Sequence, residues 1–582
     1  MAGKRVTGKH KAARHLALAD RIAIWRAGRL RSATGFARPS VPRSIGLYTR
    51  GQQIVEGHLL MAGHLAEAPG QLLWDVPAPD PAFAAETQGF QWLDDLAALG
   101  DAPAMRLAQG WTADWIARFG RGRGPGWTPG LTGRRLIRWM HHGTLLLHRR
   151  PGAEAAAFYR AATRQAAYLA RRWQAAPPGL PRFEALTGLL TASLTLTGLE
   201  PLCDPALAAL ARDCGAEIDA EGGIQSRNPE ELLEVFTLLT WAAEGLAEAE
   251  HSAPPELGAA IDRIALALRA LRHADGGVAR FHSGGRGIEG RLDHALAQSN
   301  TRPGSAPGQA MGFARLGARR TTVIIDATAP PSGRAAGTAH ASTTAFELTS
   351  GRRPVIVNCG AGAPFGVEWG RASRATASHS ALSVEGYSSS RLGEAKDGIE
   401  PLSYRCGVTA RRQTTGPDGT HLHLTHDGWS SSHGLTTSRG LVLSNDGRIL
   451  SGEDALLCVS SPERRLFESV MTRTGNEGVR FALRFHLHPD VDAALEPGRT
   501  AVSIALKSGE IWVFRYRGVA TLSLDPSVYL EKGRLKPRAA KQIVLLADAR
   551  DYETRLGWTL AKAQDTPIAI RDLDREDLLV TL

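Results

Sequence analysis

The period of the hydrophobic pattern changes once along this chain, and that single change limits the folds open to it. From Phe90, apolar residues recur at three and four spacing through FQWLDDLAAL, MRLAQGWTADWIARF, RRLIRWMHHGTLLL, AAFYRAATRQAAYLARRW, RFEALTGLLTASLTL, PALAALARDC, EELLEVFTLLTWAAEGL and LGAAIDRIALALRAL. That spacing is the signature of amphipathic helices. Short Gly/Pro-bearing loops join them, so the segments predict stacked α-hairpins, as a bundle, a solenoid or a closed toroid. After about Gly285 the pattern alternates or runs short and apolar, in FARLGARRTTVIIDA, STTAFELTSGRRPVIVNCG, HLHLTHDGW, RFALRFHLHPDV, VSIALKSGEIWVFRYRG and KQIVLLADA. Turn dipeptides such as Asp418-Gly419, Asp446-Gly447 and Ser508-Gly509 fall between these runs, which predicts an antiparallel β-sandwich. With 582 residues the chain exceeds one core, and the expected division is an N-terminal arm over 1–60, a helical domain over 61–290 and the sandwich over 300–582.

The net charge of +11 belongs to the first fifty residues, where twelve Lys/Arg face the single acid Asp20. The remainder is balanced and no recognisable nucleic-acid-binding fold is present, so nucleic acid is not an expected partner. Leu16, Leu18, Ile22, Ile24 and Trp25 lie among Arg14, Arg21, Arg26, Arg29 and Arg31. This region reads either as a solvated arm or as a basic helix lying on an anionic membrane. No apolar run is long enough for a signal peptide or a membrane span, and by sequence the protein stays where it is made. The five cysteines are scattered without a CxxC, which gives no sign of a disulfide framework or a thiolate zinc site. Phosphate-loop, HExxH, GxSxG and Rossmann patterns are absent.

Ligand-type residues flank strands most regularly between Thr338 and Gly386, where His340, Asn358 and His379 come within reach of one another. Such a set reads as a zinc site with an imidazole-rich shell, weakened by the neutral Asn, or as two loop histidines and a turn Asn without metal. In SRNPEELLEVF, Asn228 reads as a helix N-cap with Pro229 in the first turn and Glu231 three residues past the cap. Arg227 has no such role and could clamp a carboxylate. The loop GRGRGPGWTPGLTGRRLIRWM offers Trp127, Arg135 and Arg138, an aromatic face beside cations that suits an anionic sugar. Packing of Trp127 and solvation of Arg138 explain the same residues without a ligand.

The order of parts, with WTPGLTGRRLIRW and EGGIQSRNPEELL followed by HASTTAFELTSGRRPVIVNCG and SHSALSVEG, resembles the heparinase II/III-like family of polysaccharide lyases. The resemblance implies an incomplete (α/α) toroid followed by a β-sandwich, and cleavage of a uronic-acid polysaccharide, glycosaminoglycan-like, by β-elimination. In that chemistry a base removes the C5 proton, polar or cationic groups neutralise the carboxylate, and an acid, often Tyr, protonates O4. It also implies a zinc site, whose positions are His340, Asn358 and His379 here, and an acidic-polysaccharide partner in the cell envelope. The chain departs from the family at the reacting positions. The catalytic Tyr falls on or next to Glu231, the His before the first zinc ligand is Thr338, the zinc Asp is Asn358, and the Asn/His pair of the RFEALTGLL helix gives way to Pro181, Arg182 and Glu184. Two readings follow: a divergent lyase using Glu184, Glu231 or His340, or a non-catalytic acidic-glycan-binding or exopolysaccharide-associated protein.

Overall fold

The computed structural model describes residues 17–39, 41–299, 301, 308–395 and 399–566. The chain divides into two compact units, residues 1–214 with 238–258 and residues 215–237 with 259–582.

The first unit is helical. Its first helix, α1 (Leu18–Ala27), buries Ala23, Ile24 and Ala27. Arg172 donates to Asp20 Oδ1 at 2.7 Å. Phe36 packs edge-on against Tyr159 at 5.5 Å, and Ala37 N donates to Thr195 O at 2.8 Å. Residues 18–60 are therefore not a free arm: enough apolar side chains sit among the arginines to fix the segment on the helical core. Helices α2 (Pro129–His141), α3 (Gly152–Arg172) and α4 (Leu180–Thr195) follow. Proline in the first turn of α2 and of α4 costs no hydrogen bond there, because those N–H groups have no intrahelical partner. These two helices touch backbone to backbone. A Cβ on Gly133 would lie 2.1 Å from Glu184 O, and one on Gly188 would lie 2.5 Å from Gly133 Cα. An aromatic core fills the space beside them, with Trp115 edge-on to Trp139 at 5.5 Å and Phe90 4.7 Å from Trp92. Three more helices complete the helical run and each passes through a division between the units: α5 (Cys203–Glu217) after Cys214, α6 (Pro229–Glu248) after Thr237 and α7 (Pro255–Leu271) after Gly258. No helix among the described residues is long and apolar enough to cross a membrane.

The second unit is built on two antiparallel sheets. Its strands are β1 (Gln309–Ala310), β2 (Phe313–Ala318), β3 (Thr321–Asp326), β4 (Phe346–Ser350), β5 (Arg353–Val357), β6 (Leu382–Val384), β7 (Val408–Thr415), β8 (Gly419–Trp429) and β9 (Leu435–Ser444). They continue with β10 (Ile449–Leu457), β11 (Val479–Leu487), β12 (Asp492–Leu495), β13 (Ala501–Ala505), β14 (Ile511–Arg517), β15 (Thr521–Tyr529), β16 (Arg538–Ala549) and β17 (Glu553–Gln564). One sheet runs β15-β16-β11-β5-β4-β3-β2-β1 with β6 also paired to β11, and the other runs β7-β8-β9-β10-β17-β14-β13-β12. Their inner faces share one core, where Phe346 of the first sheet stacks on Trp558 of the second at 5.8 Å and 3°. A buried charge crosses the same core. Arg439 donates from Nε to Asp454 Oδ1 at 2.6 Å and from Nη1 to Thr344 O at 2.7 Å and Ser380 O at 2.9 Å. Those two carbonyls belong to the loops that carry the histidine centre described next.

Candidate functional site

His340 follows the 3-10 turn Gly333–Gly337, Asn358 follows β5, and His379 follows the 3-10 turn Thr376–Ser378. His340 Nδ1 and His379 Nε2 are 3.1 Å apart. His379 Nδ1 donates to Ala375 O at 2.8 Å, so the proton sits on that nitrogen and Nε2 is the acceptor. His340 therefore donates from Nδ1, and its Nε2 faces, at 3.1 Å, the Oγ of Ser283, a hydroxyl that donates to Thr338 O at 3.0 Å. Asn358 is oriented by Ser380, whose N–H donates to Asn358 Oδ1 at 3.0 Å. Its Nδ2 is buried and has no hydrogen-bond partner among the described residues.

Behind this pair lies His282, whose Nδ1 accepts from His340 N at 3.2 Å. Its other nitrogen, the protonated one, is 3.5 Å from Asp326 Oδ2. Asp326 is fully buried and also accepts from Arg227 Nη2 at 2.6 Å and Ser342 Oγ at 2.7 Å. Arg227 is the carboxylate clamp its position suggested, but the carboxylate belongs to its own chain. Its remaining N–H groups donate to Met311 O, Gly312 O and Ala329 O at 3.0, 3.1 and 2.8 Å. Burial pushes the His379 pKa down to about 4, and burial with the neighbouring charges holds His282 and His340 well below the ordinary range. All three imidazoles are neutral at pH 7.

The two imidazole nitrogens stand at a separation that suits two corners of a tetrahedral cation, but the third position does not complete a zinc shell. Among the described residues no carboxylate joins them, the amide oxygen already serves Ser380, and what Asn358 leaves unmatched is an N–H donor, which cannot ligate.

The other expected positions fall elsewhere. Trp127 and Arg135 are completely buried. Trp127 Nε1 donates to Phe119 O at 2.8 Å, while the Arg135 guanidinium lies 4.1 Å over Trp115 and donates to Gln165, Gln88 and Gly126. Arg138 is also buried and donates to Asp94 Oδ2 at 3.3 Å. Helix α2 is buried on nearly every side, so its arginines are interior ties instead of sugar contacts. Glu184, buried in α4, accepts from Arg134 Nε at 2.7 Å. Asn228 caps α6 as expected, accepting from Glu230 N at 3.0 Å and Glu231 N at 3.2 Å, which places Glu231 in the first turn.

The sequence reading missed a cavity of about 340 Å³ in the second unit, next to the end of β5. His273 Nε2 is 3.1 Å from Glu347 Oε2, and Arg280 reaches the same carboxylate through its backbone N–H at 3.1 Å. The Arg280 guanidinium lies 4.7 Å over Tyr529, whose ring is 5.0 Å from His488. Burial lowers the His488 pKa to about 3. Arg352, also on the lining, is exposed. One signal for this site was legible: HADGGVARFHSGG packs His273, Arg280 and His282 into a glycine-rich loop between the last long helix and the first strand.

Comparison with known proteins places these features. Residues 300–559 match the C-terminal domain family described as Heparinase II/III-like. FtsZ-localized protein C of Caulobacter vibrioides is 31% identical over 546 residues, covering 91% of this chain and 90% of that protein. The crystal structure of heparinase III superposes with a TM-score of 0.66 at 11% identity, over 93% of this chain and 89% of that one. A heparan sulfate lyase HepC mutant from Pedobacter heparinus gives 0.58 at 14% identity, over 94% and 88%. The fold expected from sequence, an incomplete (α/α) toroid followed by an antiparallel β-sandwich, is the fold these structures share with this chain.

Proposed function

Because this chain belongs to the heparinase II/III-like family, we propose that it holds an acidic, uronate-bearing polysaccharide on the lyase scaffold without the family's proton-transfer set. One observation carries this reading: two of the three residues that would serve as base or acid are spent on internal partners. Glu184 is paired with Arg134, and His340 is bonded to His379 and Ser283. β-Elimination needs a base at C5 and an acid at O4, whereas retention of the polymer needs only cations and a ring face. Arg280 and Arg352 on the cavity supply the cations. Tyr529, whose hydroxyl is an acid of the kind O4 protonation needs, also lines the cavity, and the lyase reading survives through it.

Titration of the full chain with a panel of uronate oligosaccharides tests both. The expected result is saturable, salt-sensitive binding, weakened roughly tenfold by Arg352→Glu at an exposed position, with no rise in unsaturated-uronate absorbance. Product absorbance that disappears in Tyr529→Phe would establish the lyase instead, and binding indifferent to Arg352→Glu would remove the cavity from the account. Zinc enters the reading as a weakly held ion whose ligands would be His340 and His379, and no step depends on it.

The name of the Caulobacter relative supports a cell-division context for this chain, and α1 supports a membrane partner. Leu18, Ile22 and Trp25 are 72, 43 and 58% exposed at helical spacing on the face opposite Ala23, Ile24 and Ala27, and the Arg29 guanidinium lies 3.3 Å over Trp25. An apolar stripe flanked by arginines suits anionic headgroups. The full chain is expected to sediment with phosphatidylglycerol vesicles and not with phosphatidylcholine vesicles, and Ile22→Asp with Trp25→Glu should abolish this. Unchanged sedimentation of that variant would exclude α1 as the contact.

A further inference from the structure

A second group of ligand-type side chains converges in the first unit. The thiol of Cys203, the carboxylate of Asp204 and the imidazole of His251 each offer one atom, and these atoms lie within 4.8 Å of one another. Among the described residues it is the one group of three His, Cys, Asp or Glu that does so.

Two helix ends hold it. Cys203 and Asp204 open α5, where the positive end of the helix dipole favours thiolate and carboxylate. His251 lies just past α6, fixed by a Schellman closure: its N–H donates to Leu246 O at 2.9 Å and that of Glu250 to Ala247 O at 3.0 Å, with Glu250 at a φ of 55°. Arg38 ties down the same turn by donating to Ala249 O at 3.1 Å. The negative end of α6 therefore meets the positive end of α5 across the three side chains, and a cation between them is favoured from one side while its anionic ligands are favoured from the other. Cys203 is buried, while Asp204 and His251 are exposed, so the thiol forms the floor and solvent reaches the open side.

We propose that Cys203, Asp204 and His251 form a divalent metal site, taking zinc through sulfur, oxygen and nitrogen with water in the fourth position. The metal ties the start of α5 to the end of α6, joining residues 238–258 to the preceding part of the first unit.

Cobalt titration of the metal-free full chain tests this, because a thiolate bound to cobalt gives a ligand-to-metal charge-transfer band that imidazole and carboxylate sites lack. One equivalent with that band is expected. Cys203→Ser should abolish the band, His251→Ala at an exposed position should weaken binding roughly tenfold or more, and Cys359→Ser, removing the thiol beside His486, should leave it unchanged. A band that survives Cys203→Ser, equal affinity in His251→Ala, or no band in the folded wild type would each overturn the assignment.

Discussion

Asp326→Ala is expected to destabilise the second unit by about 3–5 kcal/mol, the cost of leaving a buried charge without its partner. Asp326 is fully buried and gathers Arg227, Ser342 and His282. Alanine would strand the Arg227 guanidinium among three carbonyls with no counter-charge, and would leave Ser342 Oγ without its acceptor. Asp326→Asn keeps an oxygen for one of these donors and should cost less. Chemical denaturation checks the ranking through the midpoint of the transition assigned to this unit. The Arg227→Ala, Asp326→Ala double variant should cost less than the two singles added together, because each single leaves the other charge alone. A loss below about 1 kcal/mol for Asp326→Ala, the range of an exposed ion pair, would show that the network does not hold the loops together.

The second large effect is a gain. Asn358→Asp, made in a Cys203→Ser background so that thiolate binding contributes nothing, is expected to raise zinc affinity by roughly a hundredfold or more. The variant replaces the unmatched Nδ2 with a charged oxygen beside two imidazole nitrogens 3.1 Å apart, completing a His-carboxylate-His shell. Metal analysis after dialysis should find substoichiometric zinc with Asn358 and close to one equivalent with Asp. Without metal, the new carboxylate should raise the pKa of His379 from about 4, since it favours the imidazolium. Full, chelator-resistant zinc in the Asn358 protein of that background, or none in the variant, would refute the account.

The period switch made the fold class legible, since burial on one face imposes the same spacing on any amphipathic helix or strand. The caps were legible for the same local reason: Asn228 and Pro229 act on their own helix start. What sequence could not carry was partnership at long separation. Arg135 looks like part of a sugar platform because nothing nearby in the chain names Gln88 or Gln165 as its partners. Arg227 reads as a free clamp until β3 brings Asp326 to it. The reach of the N-terminal arm was misjudged because a dense arginine count hides the few side chains, Ala23, Ile24 and Ala27, that anchor it.

The first unit is interrupted: its last segment, residues 238–258, is separated from the rest by residues 215–237, which belong to the second. A ribosome therefore finishes the first unit only after exporting a piece of the second, and that piece must wait for hundreds of residues before its own sheet exists. Helix α6 carries both addresses in one continuous element. The N-terminal-first order usual for multidomain chains is thus staggered here. A nascent chain stopped at Cys214 holds a helical core that lacks its closing segment, and it is this truncated species that folding assistants in the cell would meet.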